Sequence, residues 1–330
     1  MKTGLNIKEF ALRLGVSTAT ISRAFSGKGR ISDKTRQMIR AKAEELGYRA
    51  NIHARNLILQ HSETIAFFYP SLIAGEPDYF ITEIMLGVSE AAAAANSPLQ
   101  IHPMPNNSES HIEFYKDIIL NGSIAGIIVV AGTPVSLELV KTARNGGIPY
   151  VIIGHMSGEQ KSCIALQNEK GAMLAGRYFR KIGRMHPVYI GGLMDRRKRE
   201  GFSAGFAPGS ANEIIFDDGG STFQHGSAAF ERLYRMHPKM DCALCANDVL
   251  AIGFIRAALA NGVHIPEQVA VIGFDDIKMA RYHTPSLSTI SLHHYEIGAR
   301  TVARLRQQMA GEKNLPEEIV DCELIIRESA

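Results

Sequence analysis

From residue 62 onward, short apolar runs alternate with helix-like stretches, and few architectures accept that order. The runs at 64–69, 99–102, 125–131, 149–154, 163–166, 187–191, 213–216, 241–246, 269–274 and 289–292 read as strands. Helical periodicity falls between most of them, as at 81–95, 134–145, 169–181, 248–261 and 295–309. Apolar strands separated by helices build parallel sheets covered on both faces. This is more strand than one open sheet comfortably carries, and the pattern repeats weakly, so two similar α/β lobes are expected. The first takes about 62–161 with about 291–320, the second about 162–290 with the C-terminal segment. Ligands of such sheets bind at the carboxyl ends of the strands, which makes the cleft between the lobes the natural site.

Residues 1–60 have a different make-up. They hold twelve Lys and Arg against four acids, a net +8, whereas the rest of the chain carries −5. A basic head on an acidic body points to a polyanionic partner for the head alone. Three short helices fit its periodicity. Asn6, with Glu9 three positions on, has the form of a capping box, and Gly15 ends a helix whose inner face is Ile7, Phe10, Ala11 and Leu14. Ser17 is placed to cap a second helix reaching about Phe25, with Ile21, Ala24 and Phe25 inward and Thr18, Ala19, Ser22 and Arg23 outward. Ser32 caps a third, with Ile39, Ala43 and Leu46 inside and Gly47 at its end.

Two helices joined by a tight turn, the second showing short polar residues and an arginine outward, make a helix-turn-helix within an all-α head of residues 1–50. Short side chains let that helix sit deep in the major groove, and Arg23 is long enough to reach a guanine edge. Ser17, Ser22, Ser32 and Thr35, with the first-turn N–H groups behind them, are candidate phosphate contacts.

Other classes are disfavoured. The longest uncharged apolar run, 124–132, is too short to span a bilayer, and the N-terminal residues hold no signal-peptide core, so a cytoplasmic chain without a membrane partner is expected. Cys242 and Cys245 have C-x-x-C spacing but lie in an apolar strand, where residues three apart face opposite ways. With no second pair to complete a zinc site, they read as core thiols, and no metal or cofactor is expected. No G-x-S-x-G, P-loop or G-x-G-x-x-G stands in a proper strand–helix context, which argues against an enzyme. His283, His293 and His294 lie near polar residues, but their spacing identifies no nucleophile–base pair.

The head also carries a more specific signal. Ile7-Lys8-Glu9-Phe10-Ala11, Gly15-Val16-Ser17-Thr18-Ala19-Thr20-Ile21-Ser22-Arg23-Ala24, Ile31-Ser32-Asp33-Lys34-Thr35-Arg36, Leu46-Gly47-Tyr48-Arg49-Ala50-Asn51 and Ala54-Arg55-Asn56-Leu57 follow one another without gaps. In this the chain resembles the lactose- and galactose-repressor (LacI/GalR-type) family of bacterial transcriptional regulators. The likeness continues through Ala246-Asn247-Asp248-Val249-Leu250-Ala251-Ile252-Gly253, Ile265-Pro266-Glu267-Gln268-Val269-Ala270-Val271-Ile272-Gly273-Phe274-Asp275-Asp276 and Tyr282-His283-Thr284-Pro285-Ser286-Leu287-Ser288-Thr289-Ile290.

The resemblance implies a periplasmic-binding-protein-like body, pseudo-palindromic operator DNA as partner, a homodimer, and a carbohydrate-type effector: a sugar, sugar acid or sugar phosphate. A body of this form controlled by a protein or other metabolic cue is the alternative. The resemblance makes Thr18, Ala19 and Arg23 the base readers. Residues 51–61 become hinge and linker, with Asn51 and Arg55 at the DNA and Leu57 either wedged into the minor groove or packed on the body. It makes Asn247 and Asp275 effector ligands at strand ends, although capping the next helix is the other reading of Asn247. The family's usual arginine three residues before Gly-Phe is Lys198 here, inside the run Arg196-Arg197-Lys198-Arg199. Either Lys198 or a neighbouring arginine takes that role, and four cations in a row favour an acidic ligand unless they are a solvated face. Tyr79, Phe80 and Phe223 stand where ligand stacking or core packing is expected.

Overall fold

The computed structural model describes residues 5–26, 31–48, 62–71, 78–105, 111–156, 162–192, 195–206, 214–312 and 315–330. In the head, α1 (Ile7–Leu14), α2 (Thr18–Ser26) and α3 (Asp33–Leu46) form where the local signals place them. The Asn6 side chain accepts the N–H groups of Lys8 and Glu9 while Glu9 accepts the Asn6 N–H at 3.2 Å, and Gly15 closes α1 at φ +62°. Phe10, Ile21, Ala24, Ile39 and Tyr48 are buried together, with the Phe10 and Tyr48 rings stacked 4.1 Å apart. This small core fixes the roll of α2.

Among the described residues the body forms two six-stranded sheets. The first runs β11 (Glu318–Ile319), β5 (Cys163–Ala165), β4 (Tyr150–Ile153), β3 (Gly126–Val130), β1 (Ile65–Ser71), β2 (Leu99–Pro105), all parallel. The second runs β12 (Glu323–Ile325), β10 (Ser288–Ser291), β9 (Ala270–Phe274), β8 (Cys242–Cys245), β6 (Pro187–Ile190), β7 (Ile215–Asp217).

Side-chain alternation along β1 shows why both faces of the first sheet must be covered. Ile65 and Phe67 pack with α4 (Tyr79–Ala94) and α12 (His294–Met309), while Ala66 and Phe68 pack with α5 (Ile112–Leu120) and α6 (Pro134–Asn145). The second sheet carries α7 (Asn168–Lys181), α8 (Arg196–Phe206), α9 (Phe223–Met236), α10 (Asp248–Ala260) and the short α11 (Lys278–Tyr282). The helices of each lobe approach closely where side chains are missing. A Cβ on Gly201 of α8 would lie 2.1 Å from the Glu169 carbonyl oxygen of α7.

Two expectations need correction. Cys163–Ala165, expected to open the second lobe, pairs with β4 in the first sheet, so the crossing lies between β5 and α7. The second sheet is not wholly parallel: β12 runs antiparallel to β10, because the chain returns from β11 by a short link that leaves no room for a crossover helix. Of the charged run 195–200, Arg196, Arg197 and Glu200 are exposed and Asp195, Lys198 and Arg199 half-buried, ahead of buried Gly201, Phe202, Gly205 and Phe206 in α8. The chain passes between lobes at β5–α7, β10–α12 and β11–β12.

All four cysteines are free and buried, and burial pushes the Cys242 and Cys245 thiols well above their ordinary value. Among the described residues no helix is long and apolar enough to cross a membrane, and no cluster of His, Cys, Asp or Glu could hold a metal ion.

Candidate functional site

Two places gather the residues singled out in the sequence. The first is the outer face of α2. With Ile21 and Ala24 buried, Thr18, Ala19 and Arg23 are exposed side by side and Ser22 is half-buried at their edge. Ser17 and Ser32 are engaged locally: Ser17 Oγ accepts the Thr20 N–H at 3.1 Å, and Ser32 Oγ accepts the Thr35 N–H at 3.1 Å while lying 2.7 Å from the Thr35 hydroxyl. These caps set the helix starts, and the first-turn N–H groups are what remains for phosphate. Asn51, Arg55 and Leu57 lie outside the described residues.

The second place lies at the carboxyl ends of the second sheet, where the chain crosses between lobes. Asp248 fixes its geometry. Fully buried, it accepts the Thr289 hydroxyl at 2.5 Å and the Ile277 N–H at 2.8 Å, tying the turn after β9 to β10. Asp275 and Asp276 sit in that turn at φ +106° and +51°, a backbone region costly for side-chain-bearing residues and found where surroundings over-determine it. Burial pushes the Asp275 carboxyl up to about 6, with Lys198 opposing and Asp78 and Asp195 reinforcing the shift.

Lys198 is turned toward the ends of β8 and β9. Its Nζ donates to the Ala246 carbonyl at 2.6 Å and lies 4.0 Å from the Phe274 ring centre. Arg199 instead pairs with Asp218 at 2.9 Å over the Phe216 ring, and Arg196 faces Glu200 at 3.6 Å on the surface. The run is therefore not a cationic pocket, because helical geometry sends consecutive residues in different directions.

Asn247 caps α10: its Oδ1 accepts the Leu250 N–H at 2.8 Å and its Nδ2 donates to the Ser221 carbonyl at 3.0 Å. The cap is formed, and one N–H and one oxygen lone pair of this amide are not used by these two bonds. Tyr79 and Phe80 open α4, behind Asp78, whose carboxylate accepts the Ile81 N–H at 3.3 Å. Phe80 meets His294 edge-on at 4.7 Å. Phe223, half-buried at the start of α9, lies under the Arg256 guanidinium at 5.6 Å. Asp78 is not singled out by the sequence, and His294 stands out there only as a histidine near polar residues.

A cavity of about 270 Å³ opens between the lobes with Asp275 and His294 in its wall. A slightly larger hollow of about 330 Å³, lined by His186, Ile215 and Met236, lies at the amino ends of the second sheet, away from these groups.

Asp275 predicts a measurable cost to stability. An acid whose folded pKa is raised from 3.8 to about 6 penalises the folded state once the unfolded chain ionises, so the penalty is absent below about pH 4 and complete above about pH 6. Asp275→Asn should therefore melt higher than wild type at pH 7.5, by up to about 3 kcal/mol, and lose that gain at pH 4. Thermal melts across that range check it; a variant no more stable at pH 7.5 contradicts the burial described.

A basic helix-turn-helix on a two-lobed α/β body, with charged and aromatic groups converging at the strand ends, is the build of a DNA-binding transcriptional regulator. Comparison with known proteins agrees. The family model described as "Bacterial regulatory proteins, lacI family" matches residues 6–51, and that of a "Periplasmic binding protein-like domain" matches residues 173–330. The chain is 30% identical over 339 residues to the HTH-type transcriptional regulator GntR of Pseudomonas aeruginosa, covering 98% of this chain and 95% of that one. It is 28% identical over 336 residues to the HTH-type transcriptional repressor CytR of Escherichia coli K12, covering 99% and 97%. The chain belongs to the LacI family of bacterial regulatory proteins. Its fold matches that of the Lac repressor dimer bound to operator and the anti-inducer ONPF, with a TM-score of 0.85 at 19% identity over 99% of both chains.

Proposed function

We propose that this protein is a cytoplasmic repressor without a catalytic step, which binds a two-fold operator as a homodimer and changes its grip when a small carbohydrate-type effector enters the cleft. The observation that carries the reading is the exposed Thr18–Ala19–Arg23 face, held by a buried core within the first 60 residues, whose net charge is +8. One such helix covers too little DNA for specific affinity, and a palindrome mirrors a dimer. The named relatives support the repressor role: CytR is called a transcriptional repressor, as is PurR of Erwinia tasmaniensis at 27% identity. Support for a sugar comes from structures of the same fold, one titled a CelR–cellobiose complex and one a regulator with bound ribose.

In this scheme Arg23, Thr18 and Ala19 read bases, while Ser17, Ser22, Ser32 and Thr35 with their helix N-termini position phosphates. Asn51, Arg55 and Leu57 belong to a hinge that folds on DNA. A hinge of about nine residues is too short to be a stable helix alone, so it can respond to both DNA and the lobes. In the body, Asp275 and Lys198 contact the effector, Tyr79, Phe80 and Phe223 flank it, and Asn247 shapes the site through its cap. Leu57→Ala should weaken operator binding and reduce the DNA bend while leaving binding to random DNA nearly unchanged. Gel-shift and bending assays test this, with sedimentation to follow assembly. A monomer on DNA at micromolar concentration, or equal losses on both DNAs, contradicts the reading.

A further inference from the structure

The wall of the inter-lobe cavity is heavily charged, and its charges are almost all paired. Glu83 faces Lys278 at 3.7 Å across the lobes, Asp276 is held by Arg281 and Arg327, and Glu296 by Arg300. Among the described residues, Asp275 is the one cavity carboxylate with no cationic ion partner at salt-bridge distance. Its Oδ1 lies 3.9 Å from Nε2 of His294. That imidazole is neutral: burial pushes it down to about 3, the charges of Lys198 and His293 add to this, and the Asp275 backbone opposes. Both ring nitrogens of His294 are buried and lack a hydrogen-bond partner, and Phe80 packs edge-on against the ring. Lys198, the cation that lowers the Asp275 carboxyl, already donates to Ala246 and rests on Phe274, while Asp78 and Asp195 add negative charge around Asp275.

We propose that Asp275 and His294 together take a protonated amino group of the effector, which is therefore an amino-bearing polyhydroxylated molecule and not a sugar acid or sugar phosphate. The inference rests on the cleft being the effector site. Buried polar groups without partners are rare and costly, so a lone carboxylate beside an empty imidazole describes a site that a ligand completes. The two acceptors are close enough for one nitrogen to bond both at ordinary lengths of about 2.8 Å. An ammonium brings three N–H donors, enough for the carboxylate and the imidazole lone pair at once, whereas a hydroxyl brings one. An anion entering here would meet the negative field of Asp275, Asp78 and Asp195, with Lys198 as the opposing charge.

The test is calorimetry on the full chain with matched sugars: glucose, glucosamine and glucuronate, then the galactose and mannose series. In at least one series the amino sugar should bind at least about 10-fold tighter than its neutral parent, with no binding by the acid. His294→Phe should remove that preference, bringing the amino sugar level with the neutral one, whereas His294→Gln, which keeps an acceptor, should retain it. An acid or neutral sugar binding as tightly as its amino counterpart overturns the proposal, as does an unchanged preference in His294→Phe. Binding by acids alone would leave the effector cleft standing, whereas no binding by any sugar would bring down both.

Discussion

Arg23→Ala should abolish most of the preference of this protein for its operator over random DNA. Removing a side chain that bonds a base edge costs about 1–3 kcal/mol. A dimer loses it in both half-sites, so the combined effect reaches about 2–6 kcal/mol, or roughly 30-fold to 10⁴-fold in affinity. Binding to random DNA should fall by much less, since one phosphate-range charge of many is removed. The structure supports this asymmetry, because Arg23 is exposed on the face opposite buried Ile21 and Ala24, and its loss leaves the head core intact. Fluorescence anisotropy on both DNAs separates the outcomes, and equal losses on the two would remove Arg23 from the base-reading role.

Gly201→Ala should strongly destabilise the body. The new methyl would lie 2.1 Å from the Glu169 carbonyl oxygen, a backbone atom that no rotamer change can move aside. The α7–α8 pair must then part, which costs about 1–3 kcal/mol or more by the usual price of overpacking. Because α8 also carries Lys198, the same shift should pull Nζ from the Ala246 carbonyl and weaken effector binding. Denaturant unfolding with calorimetry checks both. A variant with wild-type stability and effector affinity would mean that the helices are not in this close contact.

Much of this architecture is legible in the sequence because it is dictated locally. The cap at Asn6, the stop at Gly15 and the inward stripe of Phe10, Ile21 and Ile39 are near-neighbour facts, and the α/β alternation follows from runs such as Gly126–Val130, buried along their whole length. What the sequence hides depends on the third dimension. Four cations at 196–199 look like one feature until α8 sends Arg196 to Glu200, Arg199 to Asp218 and Lys198 to the Ala246 carbonyl. The pairing of β5 with the first sheet, and the return of β12 beside β10, depend on where the chain crosses between lobes and leave no periodic mark. Asn247 reads as a helix cap from the sequence, but its second bond, to the Ser221 carbonyl, joins elements distant in the chain and leaves no local mark. His294 is invisible as a site residue because its distinction is what it lacks, a partner for either nitrogen in a buried setting.

The central claim is that one chain couples a sequence-specific DNA grip to a small molecule held between its lobes. The most direct measurement is selection from a random-sequence DNA library, followed by affinities on the enriched sequence with and without members of the sugar panel. The account predicts a two-fold symmetric sequence bound at least about 10³-fold tighter than random DNA. It further predicts that at least one sugar shifts that affinity by about 5–150-fold, a shift lost in Asp275→Ala, whose ligand-free DNA binding stays within a few-fold of wild type. Failure to enrich any sequence, or an operator affinity that no sugar changes, would contradict it.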